Sequence, residues 1–190
     1  MKKIPFFLLT LLLSISAVFG QSYTLPKVQM SISFFGENLT HPGIRVGLAT
    51  PIGSQLNPKE EVDKSWVVGG YVTYYRHPRN HRALMLTGAI GRQRIGNQGL
   101  QTMFNFELGY MASVLDAEAY EWDGNQIIEA GKTSSHFTFG LNGGLGWNFD
   151  KQTDLPLSFM LQPHVFIQAP FNSAFLPRLA LETRLIYHLK

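Results

Sequence analysis

Two arginines and two glutamates are the first residues that could do chemistry: Arg45, Glu107, Glu182 and Arg184. Each stands next to at least one large aliphatic or aromatic residue, in stretches that carry few other charges. We expect them to be buried, and buried opposite charges pair because an unpaired charge is costly to remove from water. Two uses are open for such a group: a polar network that fills the interior, or a gated ion path.

Histidine and serine provide the other candidates. His41, His77 and His81 lie in or beside turn signals and could converge on a transition metal, but no spacing motif fixes such a site, and solvated loop histidines are the alternative. Ser135 and His136 are adjacent, so on a strand they would point to opposite faces, which separates a nucleophile from its base. The chain has no cysteine, no G-x-S-x-G and no H-E-x-x-H. We therefore predict no catalytic, metal or cofactor site.

Long alternating strands are the elements that must position these residues, and residues 136–149 show the clearest one. Every second residue from Phe137 to Phe149 is apolar apart from Gly143, whereas the residues between them are small or polar. The segment is about twice as long as an ordinary strand. Its aromatic residues lie towards both ends of the apolar face, where a bilayer has its two interfaces. The pattern predicts a membrane-spanning strand.

Seven further segments alternate in the same way, and together they predict a barrel. An even strand number puts both termini on one side, as in single-chain outer-membrane barrels. The lysines lie at strand ends and in turns, so the polar face suits a narrow lumen. We predict an all-β, eight-stranded antiparallel up-and-down transmembrane barrel with Arg45, Glu107, Glu182 and Arg184 inside. The seven segments are residues 28–35, 44–49, 66–76, 84–91, 103–110, 157–168 and 178–189.

The N-terminal residues 1–20 are predicted to be a signal peptide. Lys2 and Lys3 precede an apolar run over residues 6–13, and small residues precede Gln21. The mature chain would be residues 21–190, a single barrel domain exported to the cell envelope. Removing the two lysines lowers the formal charge from +3 to +1, which gives no argument for nucleic-acid binding.

Over its mature length the chain resembles the small eight-stranded outer-membrane proteins of the OmpA-barrel and OmpX kind. The final strand keeps the alternating spacing of their C-terminal assembly signal at Leu181, Thr183, Leu185, Tyr187 and Leu189, but the last residue is Lys190 rather than an aromatic residue. The resemblance implies a bacterial outer-membrane location, with lipid around the barrel and no cofactor. The lumen of an eight-stranded barrel is just wide enough for side chains to fill, which opposes a permanent pore.

Two connections and one proline depart from the regular pattern. Residues 51–64 are expected to form a loop at the periplasmic end, where turns are usually short. The connection 115–133 is expected on the outer side, as a ribbon that turns at Asp123-Gly124. Pro163 lies inside a strand and cannot donate a ladder hydrogen bond, so we expect a bulge or a water-satisfied carbonyl there.

The outer ribbon is the candidate surface for a partner, such as another envelope protein. Tyr120 and Trp122 share one face of a strand, and Ile127 and Ile128 lie on the returning strand. Exposed aromatic clusters are unusual unless they meet something, although the same side chains could fold over the barrel mouth. We expect a non-enzymatic barrel with a filled lumen that acts in envelope structure or in partner binding. The alternatives are a lipid-modifying outer-membrane enzyme and a soluble, secreted, lipocalin-like lipid-binding barrel.

Overall fold

The fold is taken from a computed structural model, which describes residues 28–57, 62–78, 80–116, 120–122, 124–129, 131–171 and 174–189. The predicted signal peptide, residues 1–20, lies outside the described residues. Of Trp122 and Ile128 the structure describes the backbone. Among the described residues, no helix is long and apolar enough to cross a membrane.

Eight long antiparallel strands of the described chain close into one barrel. Around the barrel the order is β1, β2, β3, β4, β5, β8, β9 and β10, and β10 pairs with β1. The predicted eight-stranded up-and-down barrel is confirmed. The elements are β1 (Gln29–Glu37), β2 (His41–Asn57), β3 (Val62–His77), β4 (His81–Gly96), β5 (Leu100–Leu115), β6 (Tyr120–Trp122), β7 (Ile127–Glu129), β8 (Thr133–Asn148), α1 (Asp150–Thr153), β9 (Leu157–Phe171) and β10 (Ala174–His188).

The two faces of the strands differ as the alternation predicts. Along β4, side chains are alternately buried and exposed from His81 to Ile95. Within β8, Leu141 is 47% exposed and its neighbour Asn142 is 1% exposed. Large apolar side chains cover the outside of the barrel and polar ones point inward, which is the reverse of a soluble lipid-binding barrel. Such a surface belongs in a bilayer, and ring closure leaves no unpaired strand edge there.

Aromatic side chains mark the two rims of this apolar surface. Trp66 and Tyr187 are exposed towards the end that carries both termini, which is the periplasmic end of a single-chain barrel. Tyr74, Tyr110 and Phe137 are exposed towards the opposite, outer end. These are the positions of the aromatic girdles at the two membrane interfaces.

The interior is layered. Along β10, Ala180 belongs to an outer apolar cluster, Glu182 and Arg184 follow it, and Ile186 belongs to a second apolar cluster nearer the periplasmic end. The same order holds in reverse along β5, where the charged Glu107 lies between Met103 and Met111. A charged layer therefore lies between two apolar layers. The outer cluster comprises Phe35, Tyr75, Ala83, Met85, Met111, Phe166 and Ala180, and the inner one Met103, Met160 and Ile186.

The prediction of a loop over residues 51–64 is wrong for most of these residues. Strand pairing between β2 and β3 continues to the pair Asn57 and Val62, and residues 58–61 lie outside the described residues. Between Ile52 and Gln55 the register shifts by one residue, with Gly53 at φ 61°. This is a β-bulge, which glycine accommodates because it has no Cβ to clash at positive φ. The hairpin therefore extends beyond the periplasmic rim.

The ladder at Pro163 is interrupted without a bulge. Between β8 and β9 the pairs Asn142 with His164 and Leu145 with Leu161 keep the same register, but the two positions between them are not paired. On its other side, Pro163 pairs regularly with Leu181 of β10. The expected bulge is therefore absent, because the missing N–H is accommodated by a local gap in the ladder opposite Gly143 and Gly144.

Candidate functional site

The structure brings the four predicted charged residues together in the middle of the lumen. An Arg45 Nη2 hydrogen donates to Glu107 Oε1 at 2.5 Å, and Arg45 Nε lies 3.9 Å from Glu182 Oε1. Arg184 donates through Nε and Nη2 to the two carboxylate oxygens of Glu182, at 2.8 and 3.0 Å. All four side chains are at most 2% exposed. We call Arg45, Glu107, Glu182 and Arg184 the charged layer.

Aromatic and polar side chains from the other strands complete the charged layer. Both guanidinium groups lie against the Tyr71 ring, and their carbons are 4.3 Å (Arg45) and 4.8 Å (Arg184) from its centroid. Further contacts come from every remaining strand of the barrel, so all eight contribute at least one side chain. They are Ser33 Oγ to Glu182 (2.6 Å), Arg45 Nη2 to Thr87 Oγ1 (3.4 Å), Asn142 Nδ2 to Glu107 (2.5 Å), Asn105 Nδ2 to Asn142 Oδ1 (2.8 Å) and His164 Nε2 to Glu107 Oε2 (3.5 Å).

The local sequence explains how this packing is reached. Residues i and i+2 of a strand share a face, so Glu182 and Arg184 lie side by side on β10. Gly47 faces the lumen opposite Tyr71, and a Cβ there would collide with the tyrosine ring. The glycine therefore makes room for the ring that both arginines contact. Chemically, the layer balances two positive with two negative side chains and holds them by short contacts.

The three predicted histidines come together at the outer mouth of the barrel, where their rings stack on one another instead of surrounding a metal site. The His41 and His77 rings are stacked with centroids 3.7 Å apart, and His77 stacks on His81 at 5.3 Å. Stacked rings do not aim their nitrogen atoms at one point. Among the described residues, no group of three histidine, cysteine or acidic side chains has an arrangement that could hold a metal ion. The alternative of solvated loop histidines is also inaccurate for His81, which is 7% exposed.

A buried carboxylate stabilises the mouth beside this stack. Glu37 contacts the His41 ring and accepts a hydrogen bond from Arg178 Nη1 at 2.6 Å, while Arg178 Nε donates to Gln168 at 2.9 Å. His77 and His81 pair at the outer tip of the β3–β4 hairpin, three residues beyond Tyr74, and so lie outside the membrane-spanning segments. Burial lowers the pKa of His81, and the nearby Arg178 lowers it further.

A serine and a histidine meet on the other side of the mouth. His136 Nε2 is 3.1 Å from Ser134 Oγ, and His136 Nδ1 is 2.6 Å from the carbonyl oxygen of Pro170. Because a carbonyl can only accept, Nδ1 carries the proton, which leaves Nε2 of a neutral ring as the acceptor. Ser113 Oγ lies 2.8 Å from Ser134 Oγ. Ser135, considered from the sequence, is exposed on the opposite face.

The outer connection forms a short ribbon, with Tyr120 paired to Glu129 and Trp122 paired to Ile127. Gly124 lies between the two strands at φ 102°, whereas Asp123 of the predicted Asp-Gly turn lies outside the described residues. Tyr120 is 62% exposed and Ile127 is 70% exposed. The ribbon is therefore not part of the charged layer, and it presents an aromatic and an aliphatic side chain to the outside.

Sequence reasoning missed two participants that the alternation rule could have found. Tyr71 has the same inward phase as Thr73 and Tyr75 on β3, and Ser134 has the same phase as His136 on β8. In both cases the signal is a spacing of two residues. The partner Pro170 carbonyl lies on β9 and has no such signal, because cross-strand register decides which backbone atom faces His136.

Comparison with solved structures supports the fold. The chain is similar to Neisserial surface protein A (NspA), with a TM-score of 0.52 and 8% identity over 85% of this chain and 95% of that one. It is also similar to the outer-membrane enzyme PagL (TM-score 0.45, 12% identity, 82% and 97% covered) and to Ail of Yersinia pestis (0.45, 10%, 86% and 97%). No protein-family model and no curated protein sequence matches the chain. The expected resemblance to small outer-membrane barrels is confirmed at the level of the fold.

Proposed function

We propose that this protein is a non-enzymatic outer-membrane barrel that supports the envelope and binds a partner through its outer loops. The observation that carries the proposal is the charged layer, which links side chains from all eight strands between two apolar layers. A lumen filled in this way favours a rigid body over a pore or a cavity for a ligand. Any specific recognition then falls to the parts outside the membrane.

The outer ribbon is the surface that best fits a protein partner. Tyr120 and Ile127 are both largely exposed, on paired strands of a small sheet that is separate from the barrel sheet. Tyrosine and tryptophan are favoured anchors in protein interfaces. A two-stranded ribbon is marginally stable alone in water, so contact with another envelope protein would stabilise it.

The test is co-purification in mild detergent after replacing Tyr120 and Trp122 together with serine. We expect the folded, heat-modifiable barrel to persist while the co-purifying envelope protein is lost. Glu121→Ser is the matched control, because Glu121 lies between the two positions and alternate residues of a strand belong to opposite faces. If the partner stayed bound and the barrel lost stability, the ribbon would be a lid over the mouth and the binding proposal would be wrong.

One observation favours the rival function, an envelope hydrolase that acts on acyl esters. Ser134, His136 and the Pro170 carbonyl have the order of a nucleophile, a base and a group that orients the base. In such a reaction the Ser134 oxygen would attack the ester carbon and His136 Nε2 would pass the proton to the leaving alcohol, and water would then release the acid. Ser134 is exposed at the mouth and is therefore accessible from the outer side.

A fluorophosphonate probe separates the two functions without knowledge of a substrate. The non-enzymatic proposal predicts no labelling of the folded barrel. Labelling that disappeared in both Ser134→Ala and His136→Gln would favour the hydrolase instead. Ser158→Ala is the matched control, since Ser158 Oγ lies 2.7 Å from His188 Nε2 but is fully buried in the lumen.

A further inference from the structure

A shallow depression lies on the lipid-facing side of β3, β4 and β5, at the periplasmic rim. It has a volume of about 270 Å³ and is lined by Lys64, Arg92, Arg94, Thr102, Met103 and Phe104. The register explains the grouping. Lys64 lies opposite Arg94 and Arg94 opposite Thr102, while the next outward-facing row contains Trp66, Arg92 and Phe104. Three cationic side chains thus share one outward-facing patch.

The patch is cationic at its periplasmic edge and apolar on the side nearer the middle of the membrane. The Arg92 guanidinium carbon lies 5.3 Å from the centroid of the Trp66 ring, which holds the charge at the level of the aromatic girdle. Phe104 is 57% exposed, and Ile90 and Phe106 continue the apolar surface towards the middle of the membrane. A molecule bound here would meet cations at its head and apolar side chains along its tail.

We propose that this patch binds the phosphate of an anionic phospholipid in the periplasmic leaflet. Arginine presents several N–H donors in a planar fork that matches phosphate oxygens, and Lys64 adds a third positive charge. Basic pockets at the membrane surface recognise anionic head groups in this manner. The acyl chain would lie along Phe104 and Trp66. The site is separate from the outer ribbon and does not depend on the partner proposed above.

Two further arginines, Arg76 and Arg82, pair with each other at the outer end of the β3–β4 hairpin. Arg82 Nε donates to Asp116 Oδ1 at 2.8 Å, and Arg76 Nη2 lies 3.6 Å from Asp116 Oδ2. Arg82 faces outward on β4 like Arg92 and Arg94, and it shares the Asp116 carboxylate with Arg76. These two arginines therefore serve as a control. They carry the same charge as Arg92 and Arg94 and lie on the same β3–β4 hairpin, but at the other membrane interface.

The experiment is native mass spectrometry of the folded mature barrel, after extraction from bilayers of phosphatidylcholine with a minor fraction of phosphatidylglycerol. We expect the unchanged protein to retain phosphatidylglycerol preferentially, about one molecule per barrel, by the charge-assisted contacts. The double variant Arg92→Gln, Arg94→Gln should lower the apparent affinity roughly tenfold or more. The double variant Arg76→Gln, Arg82→Gln should leave it unchanged. A heat-modifiable band establishes that each variant is folded.

Three results would overturn the proposal. Retention of phosphatidylglycerol and phosphatidylcholine in proportion to their abundance would show that no anionic site exists. An equal loss in both double variants would indicate a general effect of net charge. Displacement of the lipid by millimolar inorganic phosphate, with equal binding of phosphate alone, would assign the patch to a free anion. If the double variant Arg92→Gln, Arg94→Gln does not fold, the single variant Lys64→Gln takes its place. It should also weaken the retention of phosphatidylglycerol, but to a smaller extent.

Discussion

At the scale of single residues, Glu182 contacts both arginines of the charged layer. It accepts two hydrogen bonds from Arg184 and one from Ser33, and it lies within 3.9 Å of Arg45. A buried ion pair adds little net stability compared with apolar packing, but loss of one partner leaves an uncompensated charge. The charged layer is therefore sensitive to removal of any one member.

Replacement of Glu182 with glutamine tests this sensitivity. We expect the free energy of unfolding to fall by about 3 to 5 kcal/mol, because Arg184 and Arg45 would lose their shared carboxylate. Urea unfolding, followed by loss of the compact band on gels, measures the change. Asp116→Asn is the control, since its arginine partners are more than half exposed and the expected loss is below about 1 kcal/mol. Equal losses of stability in the two variants would contradict the conclusion that the charged layer is sensitive to removal of one member.

His81 gives the outer mouth a pH dependence. Its pKa in the folded protein lies below the ordinary value of 6.5, chiefly because of burial and secondly because of Arg178. As pH falls below 6.5, the unfolded chain takes up a proton that the folded chain resists, so the free energy of unfolding decreases. His77 and His41 oppose protonation and Glu37 favours it. The stabilising contribution is thus present above pH 6.5 and is lost on acidification.

The corresponding variant is His81→Gln, which cannot take up the proton. Unfolding in urea at about pH 7.5 and about pH 5.5 should show a smaller loss of stability on acidification than in the unchanged protein. An identical pH dependence in the two proteins would mean that another group is responsible.

At the scale of strands, the two-residue period was sufficient to predict which side chains face the lumen. It placed Arg45, Glu107, Glu182 and Arg184 inside, and all four side chains are buried in the structure. It could not predict the extension of β2 to Asn57, because a bulge at Gly53 shifts the phase and disguises the strand. Nor could it specify contacts across the barrel, such as Arg45 with Glu107, which depend on closure of the whole sheet.

Arginine substitutions along one face of β8 test the depth of the strand in the membrane. Leu141 lies at the middle of β8 and Leu145 lies three residues from its end, on the same outward face. Leu141→Arg should cost about 2 to 4 kcal/mol in a bilayer, whereas Leu145→Arg should cost about 0 to 1 kcal/mol. Reversible unfolding from lipid vesicles gives both values. A greater loss at Leu145 would place the midplane of the membrane nearer the periplasmic end.

At the scale of the whole molecule, the layering decides whether water and ions can pass. The charged layer has contacts to side chains from all eight strands, and apolar clusters lie on both sides of it. An ion would have to pass the two apolar clusters and separate a paired set of charges. The ion path considered from the sequence therefore has little support from the packing, which favours the filled network.

Planar-bilayer recordings test this last conclusion. The unchanged mature barrel should give no stepwise conductance, because side chains from all eight strands fill the lumen at the charged layer. The double variant Phe35→Ala, Tyr75→Ala thins the outer apolar cluster but leaves the charged layer and the Met103, Met160 and Ile186 cluster in place. It should therefore also remain silent. Reproducible conductance steps from the unchanged, fully folded barrel would contradict the filled-lumen interpretation and would reopen Arg45, Glu107, Glu182 and Arg184 as a gated ion path.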